Sequence, residues 1–107
     1  MPVHSTDFFW QASADALSHD DVMIGTIRSF PCLRVSGAFF ASCHHRSGDL
    51  IVKLPRRRVE ELIENGAGKP FAPSGRTFHE WVLLDDRDED RWAELINEAR
   101  IFVGGHP

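Results

Sequence analysis

A two-layer α+β domain, with helices on one face of an antiparallel sheet, is the fold class this 107-residue sequence predicts. Three observations carry the prediction. Short apolar runs recur through the first half of the chain with short turns between them, which favours antiparallel neighbours. The stretch from Asp49 to Trp81, DLIVKLPRRRVEELIENGAGKPFAPSGRTFHEW, passes from strand to helix at a proline, leaves the helix at a glycine and returns through a Pro/Ser/Gly turn. The chain then closes on its clearest helical pattern, with Trp92, Leu95, Ile96, Ala99, Phe102 and Val103 on one stripe.

The elements are predicted in the order α-β-β-β-α-β-β-α, a five-stranded sheet with three helices. Ser5 or Thr6 suits the N-cap of the first helix, in which Phe8, Phe9, Ala12 and Ala16 recur at helical spacing and Asp7 meets the helix dipole. Ser18 to Asp21 ends it. Val22 to Ser29 reads as a strand, and Pro31 interrupts the pattern because it donates no ladder hydrogen bond. Residues 33–41 read as one strand, with Leu33, Val35, Gly37, Phe39 and Ala41 on an apolar face and Arg34, Ser36, Ala38 and Phe40 on the other.

His44 to Gly48 is a polar turn, and Leu50 to Leu54 a third strand with Lys53 opposite its apolar side. Pro55 fits the first position of the next helix. Val59, Leu62 and Ile63 are its buried stripe, and Asn65-Gly66 closes it. Phe71 sits on a short strand, Pro73-Ser74-Gly75 turns the chain, and Thr77 to Leu84 returns as a strand. Its residues Phe78, Val82 and Leu84 oppose Trp81 and Leu83. Asp85 to Asp90 supplies the cap of the last helix, which Gly104-Gly105 ends.

One domain spans residues 1–107, with an ordered core of about residues 7–103. A chain of this size buries roughly 65% of its unfolded surface and needs no metal or disulfide to fold. The net charge of −4 argues against a whole-protein grip on nucleic acid or an anionic membrane, while leaving room for a local basic patch. The N-terminus lacks a basic start followed by an apolar core. No apolar run approaches the roughly 20 residues that span a bilayer. Cys32 and Cys43 bracket one predicted strand, which separates them by about 35 Å, against about 7 Å between the Cα atoms of a disulfide. Their odd spacing also puts them on opposite faces. Reduced thiols suit a cytoplasmic protein.

A recurring order of segments carries a family resemblance: Met23-Ile24-Gly25, Leu33 to Phe40 (LRVSGAFF), Asp49 to Leu54 (DLIVKL), Gly66, Phe71, Gly75-Arg76, Glu80-Trp81-Val82, and a terminal helix with Trp near its start and Phe-Val near its end. Over roughly residues 20–103 this resembles the TfoX N-terminal domain group (TfoX/Sxy) and the neighbouring MmcQ/YjbR group. The resemblance implies a secretion-chaperone-like α+β fold in a bacterial cytoplasmic protein. It brings no accepted catalytic residue set, and it includes regulators of natural competence and proteins labelled DNA-binding. The sequence departs from the pattern at Ile24-Gly25, where a glycine pair is usual. It also carries one domain where the competence regulators have two.

Two surfaces are candidates for function. Arg56, Arg57 and Arg58 open a helix, where the dipole favours anions, so an anion could sit between them and the free N–H groups. Lys53, Lys69 and Arg76 would extend this patch toward phosphate, a nucleic-acid backbone or an acidic partner. Arg56–Glu60 and Arg57–Glu61 salt bridges on a solvated helix face are the competing expectation. The second surface is the sheet face without helices, left partly apolar by Phe40, Trp81 and Leu83, where a homodimer or a protein partner would dock.

Other motifs fall short. Cys43-His44-His45, with His79 a distant third, lacks a zinc ligand set. Cys32 has no base placed beside it, and Asp85 to Asp90 lacks the spacing of a calcium loop. Gly66-Ala67-Gly68-Lys69 is not a phosphate loop. The expectation is a non-enzymatic bacterial binding or regulatory domain with no catalytic residues, metal or cofactor. It would act through a protein–protein surface, with anion or DNA binding at the arginines as the alternative.

Overall fold

The computed structural model describes residues 7–27, 30–44 and 47–105. The chain opens with two short helical segments, α1 (Asp7–Ala12) and α2 (Ala14–Leu17). Ser13, buried between them, donates its hydroxyl to the Phe9 carbonyl at 2.7 Å. The hydroxyl shares that carbonyl with the Ser13 N–H, at the point where one predicted helix becomes two segments. The predicted N-cap, Ser5 or Thr6, lies outside the described residues.

Four strands follow: β1 (Val22–Ile27), β2 (Phe30–Val35), β3 (Ala38–Cys43) and β4 (Leu50–Lys53). Then come α3 (Arg56–Glu64), the short β5 (Lys69–Pro70), β6 (Trp81–Leu84) and α4 (Glu89–Gly104). The sheet is antiparallel throughout, in the order β1-β2-β3-β4-β6-β5. It has six strands where the sequence predicted five.

The sixth strand arises at Ser36-Gly37. Both residues have positive φ, 50° and 87°, the signature of a two-residue hairpin turn whose twist matches its strands. The run 33–41, read as one strand, is therefore folded back on itself.

The turn reverses the faces assigned to Phe39 and Phe40, and a second irregularity follows it. Leu33 lies opposite Ala41 while Arg34 lies opposite Phe39, so Phe40 is the extra residue of a β-bulge. Phe40 and Ala41 both turn toward the helices and are fully buried there with Leu33 and Val35. Phe39, expected in the core, stands on the other face over Arg34, whose guanidinium carbon is 5.8 Å from the ring centroid.

Four further placements shift. Pro31 lies inside β2, where the β2–β3 ladder has already ended at Cys32–Ser42, so its missing N–H costs no rung. Pro55 is the N-cap of α3 rather than its first residue. Thr77 to Glu80 lies outside β6, and Phe71 follows β5 instead of sitting on it.

All the helices contribute to one core on one side of the sheet. Phe9, Ala16, Val59, Leu62, Trp92, Leu95, Ile96 and Ala99 meet Leu33, Val35, Phe40, Val52, Val82 and Leu84 there. Each large aliphatic or aromatic side chain so buried contributes roughly 1.5–3 kcal/mol. Trp92 lies at its centre, edge-on to Phe8 at 4.8 Å between centroids. The acidic run before α4 caps it: Asp88 accepts from the Arg91 N–H at 3.0 Å, and Glu89 and Asp90 complement the dipole.

Arg87 in the same run is a hub that the sequence did not single out. It donates to the Ser47 carbonyl at 2.8 Å, to Asp49 Oδ1 at 3.3 Å and to the Asp85 and Asp86 carbonyls, and lies 5.3 Å from the Trp92 ring. No helix is long and apolar enough to cross a membrane among the described residues.

Candidate functional site

The helix-free face of the sheet carries Cys32, Arg34, Phe39, Ser42, Ile51, Lys53, Trp81 and Leu83, each fixed there by strand alternation and cross-strand register. It is not bare. The connection between β5 and β6, residues 71–80, runs back over it as a strap. Phe78 N–H bonds the Phe71 carbonyl at 3.0 Å, and the Phe71 and Phe78 rings stand 5.9 Å apart. At its tip, Pro73–Gly75 forms a 3-10 turn in which Ser74 holds φ at 61°.

Strap and sheet enclose a cleft of about 350 Å³, walled by Phe30, Ile51, Phe71, Pro73, Phe78 and Trp81. Its polar wall is Ser42, whose hydroxyl donates to the Pro31 carbonyl at 3.1 Å. Phe78 and Trp81 also border a shallower depression with Lys53, His79 and Glu80. Arg76 holds its guanidinium carbon 5.7 Å from the Phe78 ring centroid. The result is an apolar slot whose Phe78 and Trp81 walls also adjoin two cations, Lys53 and Arg76.

The three predicted interface residues divide. Trp81 lines the cleft and Leu83 lies half-buried on the same face, but Phe40 belongs to the core. Sequence reasoning missed Phe30, Ser42, Ile51, Phe71 and Pro73, and it grouped Phe78 with the core residues Val82 and Leu84. The available signal was three apolar residues, Phe71, Pro73 and Phe78, inside a stretch otherwise reading as a turn.

The six-residue basic patch does not assemble. Arg56 pairs with Glu60 at 3.2 Å, as the solvated-face reading expects. The expected Arg57–Glu61 pair is absent. Glu61 accepts instead from Arg58 at 3.1 Å, and Arg58 also grips Glu98 on α4. Hydrogen bonding to Glu98 leads in raising the Arg58 pKa. Lys69 pairs with Asp85, and that hydrogen bond raises the lysine pKa and lowers the carboxyl's. Lys53 and Arg76 stand with the cleft on the opposite side of the sheet from α3, so the six cations do not form one surface. Between α3 and α4 a wider depression of about 410 Å³ is polar, but its Arg58 and Arg91 are committed to Glu98, Glu61 and Asp86.

Both cysteines are free and fully buried. The hairpin at Ser36-Gly37 removes the long separation expected between them: Cys32 sits opposite Ser42, the neighbour of Cys43. They stay unpaired because Cys32 faces the strap side and Cys43 the helix-side core. Burial pushes the Cys32 thiol up, with Arg34 opposing. Burial pushes Cys43 up to about 12, with Arg87 opposing and Asp49 assisting. Neither is poised as a thiolate.

Among the described residues no group of three or more His, Cys, Asp or Glu could hold a metal ion. His45 lies outside them. Compared with family models, with curated proteins and with solved structures, the chain matches none.

Proposed function

We propose that this chain is a non-enzymatic binding domain that docks a protein partner on the helix-free sheet face, with the Trp81 cleft as its anchor point. The observation that carries the reading is an aromatic-walled slot of about 350 Å³ on an otherwise two-layer fold. Four aromatic rings around one opening supply rigid apolar area of the kind that dominates binding hot spots. Lys53 and Arg76 nearby favour a partner whose apolar anchor is flanked by carboxylates. The kinship with TfoX N-terminal and MmcQ/YjbR domains, and a bacterial cytoplasmic setting, belong to the same proposal and rest on residue order.

Anion or nucleic-acid binding at Arg56–Arg58 is the weaker reading, because Arg56 and Arg58 are already neutralised by glutamates. Pull-down from bacterial cytosol with the wild type and with Trp81→Ala tests the first reading: a partner recovered by the wild type should be lost by the variant. Equal recovery refutes it. A gel shift at low salt that disappears on changing Arg56, Arg57 and Arg58 to alanine would move the function to the arginines.

A further inference from the structure

The two edges of the sheet are built differently. β5, at one edge, has two residues, a lysine and a proline, both standard devices against strand addition. β1, at the other edge, has six residues, Val22–Ile27, with no charge and no proline. It also displays the two most exposed large hydrophobic side chains described, Met23 at 61% and Ile24 at 57%.

The phase of the β1–β2 ladder says which backbone groups are free. Ser36 N–H donates to the Asp21 carbonyl at 3.1 Å, making Asp21–Ser36 a bonded rung one step beyond Val22–Val35. Alternation then makes Met23–Arg34 and Gly25–Cys32 bonded rungs, and Ile24–Leu33 and Thr26–Pro31 non-bonded ones. The last agrees with the missing N–H of Pro31. The N–H and C=O of Ile24 and Thr26 therefore point away from β2, with no partner among the described residues. Four groups at strand spacing, unpaired within the chain, are a template for another extended strand.

We propose that the occupant is a second copy of this chain, with two β1 strands pairing antiparallel about a two-fold axis at Gly25. That register sets Ile24 of each copy opposite Thr26 of the other, so all four free groups are satisfied by their symmetry mates. Gly25 then faces Gly25 on a non-bonded rung, where Cα atoms approach to about 4.5 Å and side chains crowd most. A Gly25 Cβ would already be crowded from within its own chain, with Arg34 Nε at 3.1 Å. The axis runs through the sheet, so the helices of both copies stay on one side and the Trp81 clefts stay open on the other. The dimer therefore adds to the docking reading without depending on it.

Sedimentation equilibrium of the full chain tests the proposal. The wild type should run at twice 12.1 kDa. Ile24→Lys places a charge on an exposed edge position, and Thr26→Pro removes only an outward N–H. Each should raise the dimer dissociation constant by about tenfold or more, with unchanged circular dichroism. If the proline variant loses its fold, the lysine variant decides alone. Trp81→Ala should leave the dimer intact. A wild type that is monomeric at its highest soluble concentration overturns the edge. So does a dimer that survives Ile24→Lys, or one that Trp81→Ala dissociates while Ile24→Lys does not.

Discussion

Arg58 on α3 grips Glu98 on α4 like a fork, Nε to Oε1 at 3.0 Å and Nη2 to Oε2 at 3.1 Å. The third basic residue of the run is thus a tie between two helices forty positions apart in sequence. This geometry, bidentate and only part-exposed, is the one in which a surface ion pair has measurable worth. It also explains why a basic run at a helix start, where the dipole disfavours cations, is tolerated.

The arginines should therefore separate in stability. Arg58→Ala should cost about 1 kcal/mol, more at low salt than at high salt. Arg57→Ala should cost less than about 0.5 kcal/mol, because Arg57 pairs with no carboxylate among the described residues. Urea unfolding of both variants checks this. Equal losses would mean that the fork contributes nothing.

The sequence made the layers legible and the irregularities illegible. Val52, Leu62, Val82 and, in α4, Trp92, Leu95, Ile96 and Ala99 show the period of their element directly and are buried as it requires, whereas Phe102, placed on the same stripe by its spacing, is 39% exposed at the end of the helix and Val103 is half-buried. Two local events defeated the alternation from 33 to 41: a turn at Ser36-Gly37 and an extra residue at Phe40. Each reverses the faces beyond it, since the side-chain period of a strand is two residues. The Ser-Gly pair was a recognisable turn signal. The bulge had none, because it exists only relative to the partner strand. The cleft was invisible for a related reason: Phe71, Pro73 and Phe78 meet Ile51 and Trp81 only once the strap folds over the sheet.

Cys43 gives the fold an alkaline weakness. Its thiol is held neutral to about 12 by burial, against an ordinary value of 9.0 that applies when the chain unfolds. A raised folded-state pKa means the stabilisation is complete below pH 9 and drains away as pH rises toward 12, since only the unfolded thiol ionises in that window. The loss attributable to Cys43 should reach about 1 kcal/mol by pH 10. Denaturant unfolding at pH 8 and pH 10 should show a steeper decline for the wild type than for Cys43→Ala. Parallel declines would show that the thiol ionises equally well in both states.

Gly68 should be the least replaceable glycine of the α3–β6 junction. The Gly66-Ala67-Gly68-Lys69 stretch carries no phosphate-loop pattern, yet Gly68 is buried where the chain passes between α3 and β6. A Cβ there would stand 2.6 Å from Val82 Cγ2 and 3.3 Å from Leu62 Cβ, both in the core. Neither neighbour is the free end of a flexible side chain, so accommodation requires α3 and β6 to move apart. Gly68→Ala should cost about 1–3 kcal/mol through that overpacking. Gly66→Ala acts differently: no atom lies within 4 Å of its Cβ site, and the penalty there comes from φ at 82°. A compensating Val82→Ala should recover part of the Gly68→Ala loss and none of the Gly66→Ala loss. A double-mutant cycle measured by thermal unfolding checks this, and independent additive effects at 68 and 82 would remove the close contact as the cause.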